Sequence, residues 1–272
     1  MLIIFSGGSG VGKNTVIEHL LTNDGFALMP TYTTREKRPT ESNGNPYYFI
    51  TDNEFLRKLD EGEFYEYQKV HNHYYGTSKK LLNENLSLGK ILLKDIDVLG
   101  TQNLLKTIGN NIKILTIFLK VNSIEILVER LKNRGEKNID LRLQRYQMEQ
   151  QYSINYDYII TNDCLDSTLS IMNDIIHNEK DNYCPYCTQK PTEIIDKKVY
   201  EIANTLNSGQ KVPPIKIAIK NKKIFIIDGH HRYLASILAG KRIAKEIIKV
   251  NYIDVVEQYS WQDIIDYLRR KK

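Results

Sequence analysis

Long apolar runs are missing from this chain. No stretch approaches the uninterrupted hydrophobic length that a helix needs to cross a bilayer, which removes helical membrane proteins from consideration. Cysteine is scarce, with three in 272 residues. An odd and small number makes no disulfide framework and fits a reducing compartment. The first residues enter a strand pattern rather than a signal peptide, so a cytoplasmic protein with no membrane partner is expected. Internal repeats and low-complexity tracts are lacking. Charge of one sign does not dominate either: the net formal charge is +5, with both signs interspersed. That balance suits anionic ligands and is too mild to establish binding to DNA. The length exceeds one average domain, and two are expected.

Glycine, by contrast, is concentrated almost at the first residue. Gly7-Gly8-Ser9-Gly10-Val11-Gly12-Lys13-Asn14-Thr15 follows directly on the apolar run Leu2-Ile3-Ile4-Phe5. The spacing from Gly7 to Gly12-Lys13 is that of a P-loop, whose backbone N–H groups face phosphate oxygens while the lysine reaches the terminal phosphates. Thr15-Val16-Ile17-Glu18-His19-Leu20-Leu21 continues with helical spacing of apolar residues, which places a helix N-terminus against the anion. Such a loop usually carries Ser or Thr after the lysine to hold Mg²⁺. Here Asn14 stands there, with Thr15 behind it.

From Met1 to about His177, short apolar strands such as Ile91-Leu92-Leu93 and Ile112 to Leu119 alternate with helical stretches, the pattern of a parallel α/β sheet. The polar run Asn178-Glu179-Lys180-Asp181-Asn182 and Cys184-Pro185-Tyr186-Cys187 mark a linker over 178–190. Beyond it, helical spacing from Lys197 to Leu206, a break at Pro213-Pro214 and two β-rich runs at Ile215-Ile219 and Lys223-Ile227 fit a second, smaller α/β unit over 191–272.

Several motifs follow the glycine loop in order. They are Thr33-Thr34-Arg35-Glu36-Lys37-Arg38-Pro39, Asn43 to Phe49, Gly62-Glu63-Phe64-Tyr65-Glu66-Tyr67, Tyr74 to Lys80 and Asp95-Ile96-Asp97. Arg130 to Gly135 and Tyr156 to Asp163 complete the series. Together they resemble guanylate kinase over residues 1–177. The resemblance implies a P-loop nucleoside monophosphate kinase fold, and transfer of the γ-phosphate of ATP to GMP or a guanine-like nucleotide with Mg²⁺. By it, Gly7, Ser9, Gly10, Gly12, Lys13, Asn14, Thr15 and Asn162 hold ATP, Asn162 at its adenine. Arg35, Arg38, Tyr47 and Tyr75 hold the acceptor phosphate, for which guanidinium groups supply bidentate contacts. Glu66 and Asp97 accept from guanine N1–H and its exocyclic amine, with Thr31 and Thr77 as hydroxyl contacts. Buried polar groups left unpaired by the wrong base reject it by about 10⁴-fold or more.

The catalytic cations implied are Lys13, Arg35, Arg130, Arg134 and Arg142, the last three from a lid that closes over the donor phosphates. This lid is shorter than usual in the family, Leu99 stands where glutamine is usual, and Thr77 replaces a frequent serine. A second reading is a nucleotide-gated binding scaffold. Guanylate-kinase-like binding modules typically lose the phosphate loop, whereas this chain keeps Gly12 and Lys13.

In the second half, Ile226-Ile227-Asp228-Gly229-His230-His231-Arg232-Tyr233 resembles the ParB/sulfiredoxin superfamily, with the likeness carried by about residues 191 to 252 of the domain at 191–272. A strand-to-helix turn at Gly229 exposes backbone N–H groups, and Gly229, His230, His231 and Arg232 are expected to bind the phosphate of a second nucleotide or phosphorylated ligand. The superfamily includes DNA-binding partition proteins, sulfiredoxins and a free serine kinase. The sulfiredoxin cysteine is absent here. Asp228 is placed to take a hydroxyl proton, with Glu193 as a second carboxylate, which would make the protein a bifunctional enzyme. Cys184 and Cys187 form half of a zinc site, to which His177 or Cys164 could add; structural filler or partly oxidised thiols are the favoured alternative. No thioredoxin-type βαβ pattern surrounds them.

Overall fold

The computed structural model describes residues 1–272 except 30, 38–40, 45–46, 71, 109–111, 182–183, 251–259 and 271–272. These residues fall into two compact units, one of Met1–Gly7 with Gly12–Ile117 and one of Gly8–Val11 with Phe118–Lys272. In the first unit the order is β1 (Leu2–Ser6), α1 (Lys13–Leu20), β2 (Phe26–Leu28), β3 (Thr31–Thr33), β4 (Tyr47–Phe49), α2 (Asp52–Asp60), β5 (Phe64–Val70), β6 (His73–Ser78), α3 (Lys79–Ser87), β7 (Ile91–Asp95) and α4 (Val98–Ile108). The next strand, β8 (Ile114–Lys120), begins in the first unit and ends in the second.

β7 lies between β1 and β2 and is parallel to both, with Leu2 opposite Leu92 and Phe26 opposite Ile91. All of β1 is buried, as continuous apolar strands are when helices cover both faces of a parallel sheet. Leu82 of α3 and Leu104 and Ile108 of α4 close one core over Leu2, Ile4, Leu92 and Ile96.

A separate sheet in the order β4-β3-β6-β5 carries the polar motifs. Thr31 is opposite both Tyr47 and Thr77, and Thr77 is opposite Glu66, so these four side chains share one face. The other face is aromatic: Phe64 stacks on Phe55 of α2 at 4.6 Å, and Tyr32 approaches Tyr48 and Phe64. A register shift between Phe64 and Glu66 sends these residues of equal parity to opposite faces.

The second unit continues with α5 (Ile124–Asn133), α6 (Ile139–Gln150), β9 (Tyr158–Thr161), α7 (Leu165–Lys180), α8 (Asp196–Asn207), β10 (Ile215–Lys220), β11 (Lys223–Asp228), α9 (His230–Ala239), β12 (Lys245–Ile247) and α10 (Trp261–Arg270). Its strand order is β11-β10-β12-β9-β8. β10 and β11 form a hairpin whose turn residues Asn221 and Lys222 both have positive φ, the geometry that matches the twist of tight hairpins. Among the described residues no helix is long and apolar enough to cross a membrane.

Within the segment expected as a linker, 178–190, several residues pack against the rest of the unit. The polar run begins inside α7, because the Asn178 carboxamide is buried and donates to Asp174 O and Lys222 O. Tyr186 then exchanges two backbone hydrogen bonds with β11 and stacks on Phe225. β12 pairs in parallel with β9, Lys245 opposite Tyr158, and Lys120 of β8 binds Glu246 of β12 at 2.6 Å.

Trp261 anchors α10: it is 7% exposed, donates from Nε1 to Pro185 O at 2.6 Å and lies against Tyr233. Truncating a buried aromatic of this kind to alanine costs about 3–5 kcal/mol. Trp261→Ala is therefore expected to lower the urea-unfolding free energy of the second unit by that amount, with faster amide exchange at Tyr186.

Candidate active site

The phosphate loop curls because three of its glycines, Gly7, Gly10 and Gly12, take positive φ. Gly12, left-handed at φ 93°, starts α1 without any side-chain cap, and no acidic residue follows in the first turn. The helix start therefore presents amide hydrogens of the kind an anion accepts from. Lys13 Nζ donates to Gly7 O at 2.6 Å and lies 3.9 Å from Asp95 Oδ1 at the end of β7. Surrounding protein raises the pKa of Asp95, with Lys13 and Lys94 opposing. Asn14 and Thr15 are exposed beside the loop. Their carboxamide and hydroxyl oxygens are hard donors of the type Mg²⁺ accepts when it arrives on nucleotide phosphates.

The polar face of the β4-β3-β6-β5 sheet gathers most of the expected acceptor residues. Arg35 Nη2 binds both carboxylate oxygens of Glu41 at 2.7 and 3.0 Å, and its guanidinium lies over the rings of Tyr47 and Phe49. Hydrogen bonding to Glu41 raises the Arg35 pKa, with Tyr75 contributing. Tyr47 and Tyr75 meet edge to face at 5.7 Å, so Arg35, Tyr47 and Tyr75 form one group. Arg38 lies outside the described residues. Farther along the face, Glu66 is 8% exposed and accepts from Thr77 Oγ1 at 2.5 Å. Burial raises its pKa, with Lys94 and the Thr77 hydroxyl opposing and Asp97 adding to the rise. Thr31 accepts from Lys94 Nζ at 2.9 Å. Asp97 Oδ1 accepts from Gly100 N at 2.8 Å, so part of this carboxylate caps α4.

In the second unit lie the three cations expected to form a lid. Arg130 donates to Val11 O and Asp163 O, and Arg142 Nε binds Glu136 at 3.0 Å; Arg134 is exposed at the C-terminus of α5. Asn162, expected at the donor adenine, is buried, donates to Val11 O at 2.8 Å and accepts from Thr168 Oγ1 at 2.8 Å. Ser9 and Gly10 belong to the same stretch, and a Cβ on Gly10 would meet Leu127 at 2.9 Å.

A second strand-glycine-helix turn occurs at Gly229. It repeats the left-handed N-cap, at φ 97°, and also lacks a side-chain cap. Beside it lies a cavity of about 430 Å³ lined by Lys198, Gln189, Asp228 and His230 to Arg232. Of the expected phosphate donors, His230 Nε2 lies 3.4 Å from Thr188 N and 2.9 Å from its Oγ1, and His231 Nε2 accepts from Ile195 N at 3.0 Å. Each is thus committed at Nε2 to holding a neighbouring segment. Arg232 binds Asp228 at 3.0 Å, while its buried Nε has no partner. Glu193 accepts from Lys190 N and closes a local turn.

The thiols of Cys184 and Cys187, expected as half of a zinc site, differ in burial. Cys184 is exposed, Cys187 is buried with its thiol pushed up to about 11, and both are free. Cys164 is exposed, and His177 lies 3.7 Å from Asp181. Among the described residues no group of three or more His, Cys, Asp or Glu could hold a metal ion.

Comparison with known proteins agrees with the loop and the polar sheet. The family profile described as Guanylate kinase matches residues 1–179. A guanylate kinase of Bartonella henselae is 38% identical over 177 residues, covering 64% of this chain and 79% of the relative. One of Rickettsia typhi is 39% identical over 184 residues, covering 66% and 92%. The crystal structure of guanylate kinase from Anaplasma phagocytophilum superposes with a TM-score of 0.52 at 28% identity, over 66% of this chain and 85% of that one. The chain belongs to the guanylate kinase family, and with that to the ATP-dependent phosphotransferases.

Residues outside the expected set are Glu41, which holds Arg35, and Lys94, a lone cation in an apolar strand. His230 supplies a stability signal. It is 4% exposed, and burial pushes its pKa from 6.5 down to about 4. Between those values the unfolded imidazole binds a proton that the folded one refuses. Stability is therefore expected to fall as pH drops from 6.5 to about 4, by up to about 1.4 kcal/mol per pH unit. His230→Gln should flatten this slope in urea titrations across that range.

Proposed function

We propose that residues 1–179 transfer the γ-phosphoryl group of ATP to GMP or a guanine-like nucleoside monophosphate. The observation that carries this reading is the buried Glu66 carboxylate, bonded to Thr77, on the same sheet face as the Arg35, Tyr47 and Tyr75 group. A carboxylate accepts from guanine N1–H and the 2-amino group, whereas adenine offers a lone pair at N1. Arg35, with Tyr47 and Tyr75, takes the acceptor phosphate by exchanging its Glu41 partner for a second anion.

An acceptor phosphate oxygen attacks the γ-phosphorus, the bond to the β–γ bridging oxygen breaks, and ADP leaves. The loop amides and Lys13 hold the donor phosphates, and Arg130, Arg134 and Arg142 are the cations assigned to the charge that spreads over the transferred group. Mg²⁺ bound to the phosphates would supply further charge neutralisation, and the side-chain oxygens of Asn14 and Thr15 beside the loop would help to hold it. The guanylate kinase relatives support the same reading.

Lys13→Ala is expected to lower kcat for GMP-dependent ATP consumption by about 10²–10³-fold or more, with GDP identified by mass. Wild-type protein that consumes ATP equally with and without GMP would overturn the reading.

A second reading concerns residues 191–272, assigned to a ParB/sulfiredoxin-like domain that binds a nucleotide or phosphorylated ligand. The cavity beside Gly229, with Lys198 and the unpartnered Arg232 Nε, favours it. In the enzymatic version Asp228 takes a proton from a small alcohol, and its pairing with Arg232 must then open. Calorimetry with ADP is expected to show binding that Lys198→Ala weakens about tenfold, one lost charge contact being worth 1.5–3 kcal/mol at most. Unchanged affinity would remove the cavity from consideration, and unchanged turnover of every alcohol in Asp228→Ala would remove the enzymatic version.

A further inference from the structure

β7 brings one cation into an apolar strand. Ile91, Leu92 and Leu93 are buried as expected, and Lys94, next in line, is buried with them at 4% exposure. A charged ammonium leaves water at a large desolvation cost unless it is paired and hydrogen-bonded. Lys94 answers that cost with one hydrogen bond and the fields of two carboxylates. Its Nζ donates to Thr31 Oγ1 at 2.9 Å, and Thr31 lies opposite Thr77, whose hydroxyl donates to Glu66. Burial lowers the Lys94 pKa, with the Glu66 and Asp95 charges opposing. Glu66 in turn is faced by Lys94 from β7, by the Thr77 hydroxyl from β6 and by Asp97 from the segment before α4. Asp95 faces Lys13 and Asp97 as well as Lys94.

The protonation of Glu66 decides what the site reads. As a carboxylate it accepts two hydrogen bonds from adjacent donors on one base edge. As a carboxylic acid it presents a donor at one oxygen, which suits a base with an acceptor at N1. Burial favours the acid form; Lys94 supplies the only cationic field acting on Glu66 among the described interactions.

We propose that Lys94 is a specificity-determining positioning residue, whose buried ammonium keeps Glu66 an acceptor and orients Thr31, so that the site takes 6-keto, 2-amino purine monophosphates and rejects 6-amino purines. The inference rests on the assignment of Glu66 to the acceptor base made above. Lys94 acts through Glu66 and Thr31 and takes no part in phosphoryl transfer.

The test compares full-length wild type with Lys94→Met, varying GMP or AMP as acceptor from pH 5 to 8. In the variant, KM for GMP rises tenfold or more at pH 7, the GMP-over-AMP preference in kcat/KM falls at least tenfold, and KM for ATP stays within twofold. The acid limb of kcat/KM for GMP moves to higher pH, because Glu66 without its ammonium takes a proton more readily. A second measurement needs no Lys94 variant: the infrared difference between wild type and Glu66→Gln at pH 7 shows an ionised carboxylate if the proposal holds and a carboxylic acid if it fails. That spectrum decides the matter should Lys94→Met not fold. An active wild type whose Lys94→Met variant keeps both the acid limb and the GMP preference overturns this inference alone. A wild type without GMP-dependent turnover overturns the acceptor assignment and this inference with it.

Discussion

A helix that starts without a capping side chain leaves amide hydrogens in need of an acceptor, and the start of α1 is built in that way. Gly12 can adopt φ 93° because it has no Cβ, and it contributes no oxygen to the first turn. The absence of an acidic residue there keeps the positive end of the helix open to an outside anion. Lys13 adds a full charge and is held in place by Gly7 O and Asp95. The buried β1 fixes where the loop begins, and Val11 O is held by Asn162 and Arg130 within its own unit. Carbonyls at Gly7 and Val11 are thus held by side chains.

The acceptor sheet obeys a different constraint. A strand alternates faces, so a sheet with an aromatic side and a polar side needs strict parity, yet Phe64 and Glu66 have equal parity and opposite destinations. The register shift between them resolves the conflict. Gly76 permits it: a Cβ there would lie 2.8 Å from Phe64 and 2.9 Å from Phe55. Because the aromatic face packs tightly, the polar face is held rigid behind it. Rigidity raises the stakes of each polar group, since Glu66, Thr31 and Lys94 must satisfy one another at fixed distances.

The sequence makes the phosphate loop and the acceptor motifs legible because each is local: the spacing of glycines and the order of short segments carry the chemistry. The alternation of apolar strands and helices likewise foretells a mostly parallel α/β sheet, in keeping with the likeness to the Anaplasma phagocytophilum enzyme. What stays hidden depends on partners far apart in the chain. Lys94 follows the apolar run Ile91-Leu92-Leu93, and its partner, the Thr31 hydroxyl, lies 63 positions away. Asn178 meets Lys222 O, and Asn162 meets Val11 O, each across a gap that no local motif spans. His230 and His231 look alike as neighbours, yet they hold Thr188 and Ile195, two segments upstream. In each case the residue type announces a hydrogen-bonding need and says nothing of who meets it.

The turn at Gly229 shows why a repeated backbone device does not guarantee a repeated chemistry. Its dihedrals, φ 97° and ψ 25°, nearly copy those of Gly12, φ 93° and ψ 20°, and both helices start uncapped. The side chains around them diverge. At Gly12 the cation is a lysine whose carboxylate neighbour lies 3.9 Å away, a separation at which an incoming phosphate can take over the ammonium. At Gly229 the cation is Arg232, bound to Asp228 at 3.0 Å on the same helix-start segment, with Pro214 O as a further acceptor. An anion there must compete with a carboxylate already in contact, and it gains only the Nε hydrogen, the helix amides and Lys198. Equal backbone geometry therefore leads to a weaker pull on phosphate at the second turn, and any ligand held there must draw much of its affinity from the apolar wall of Ile202, Val212, Pro213 and Ile227.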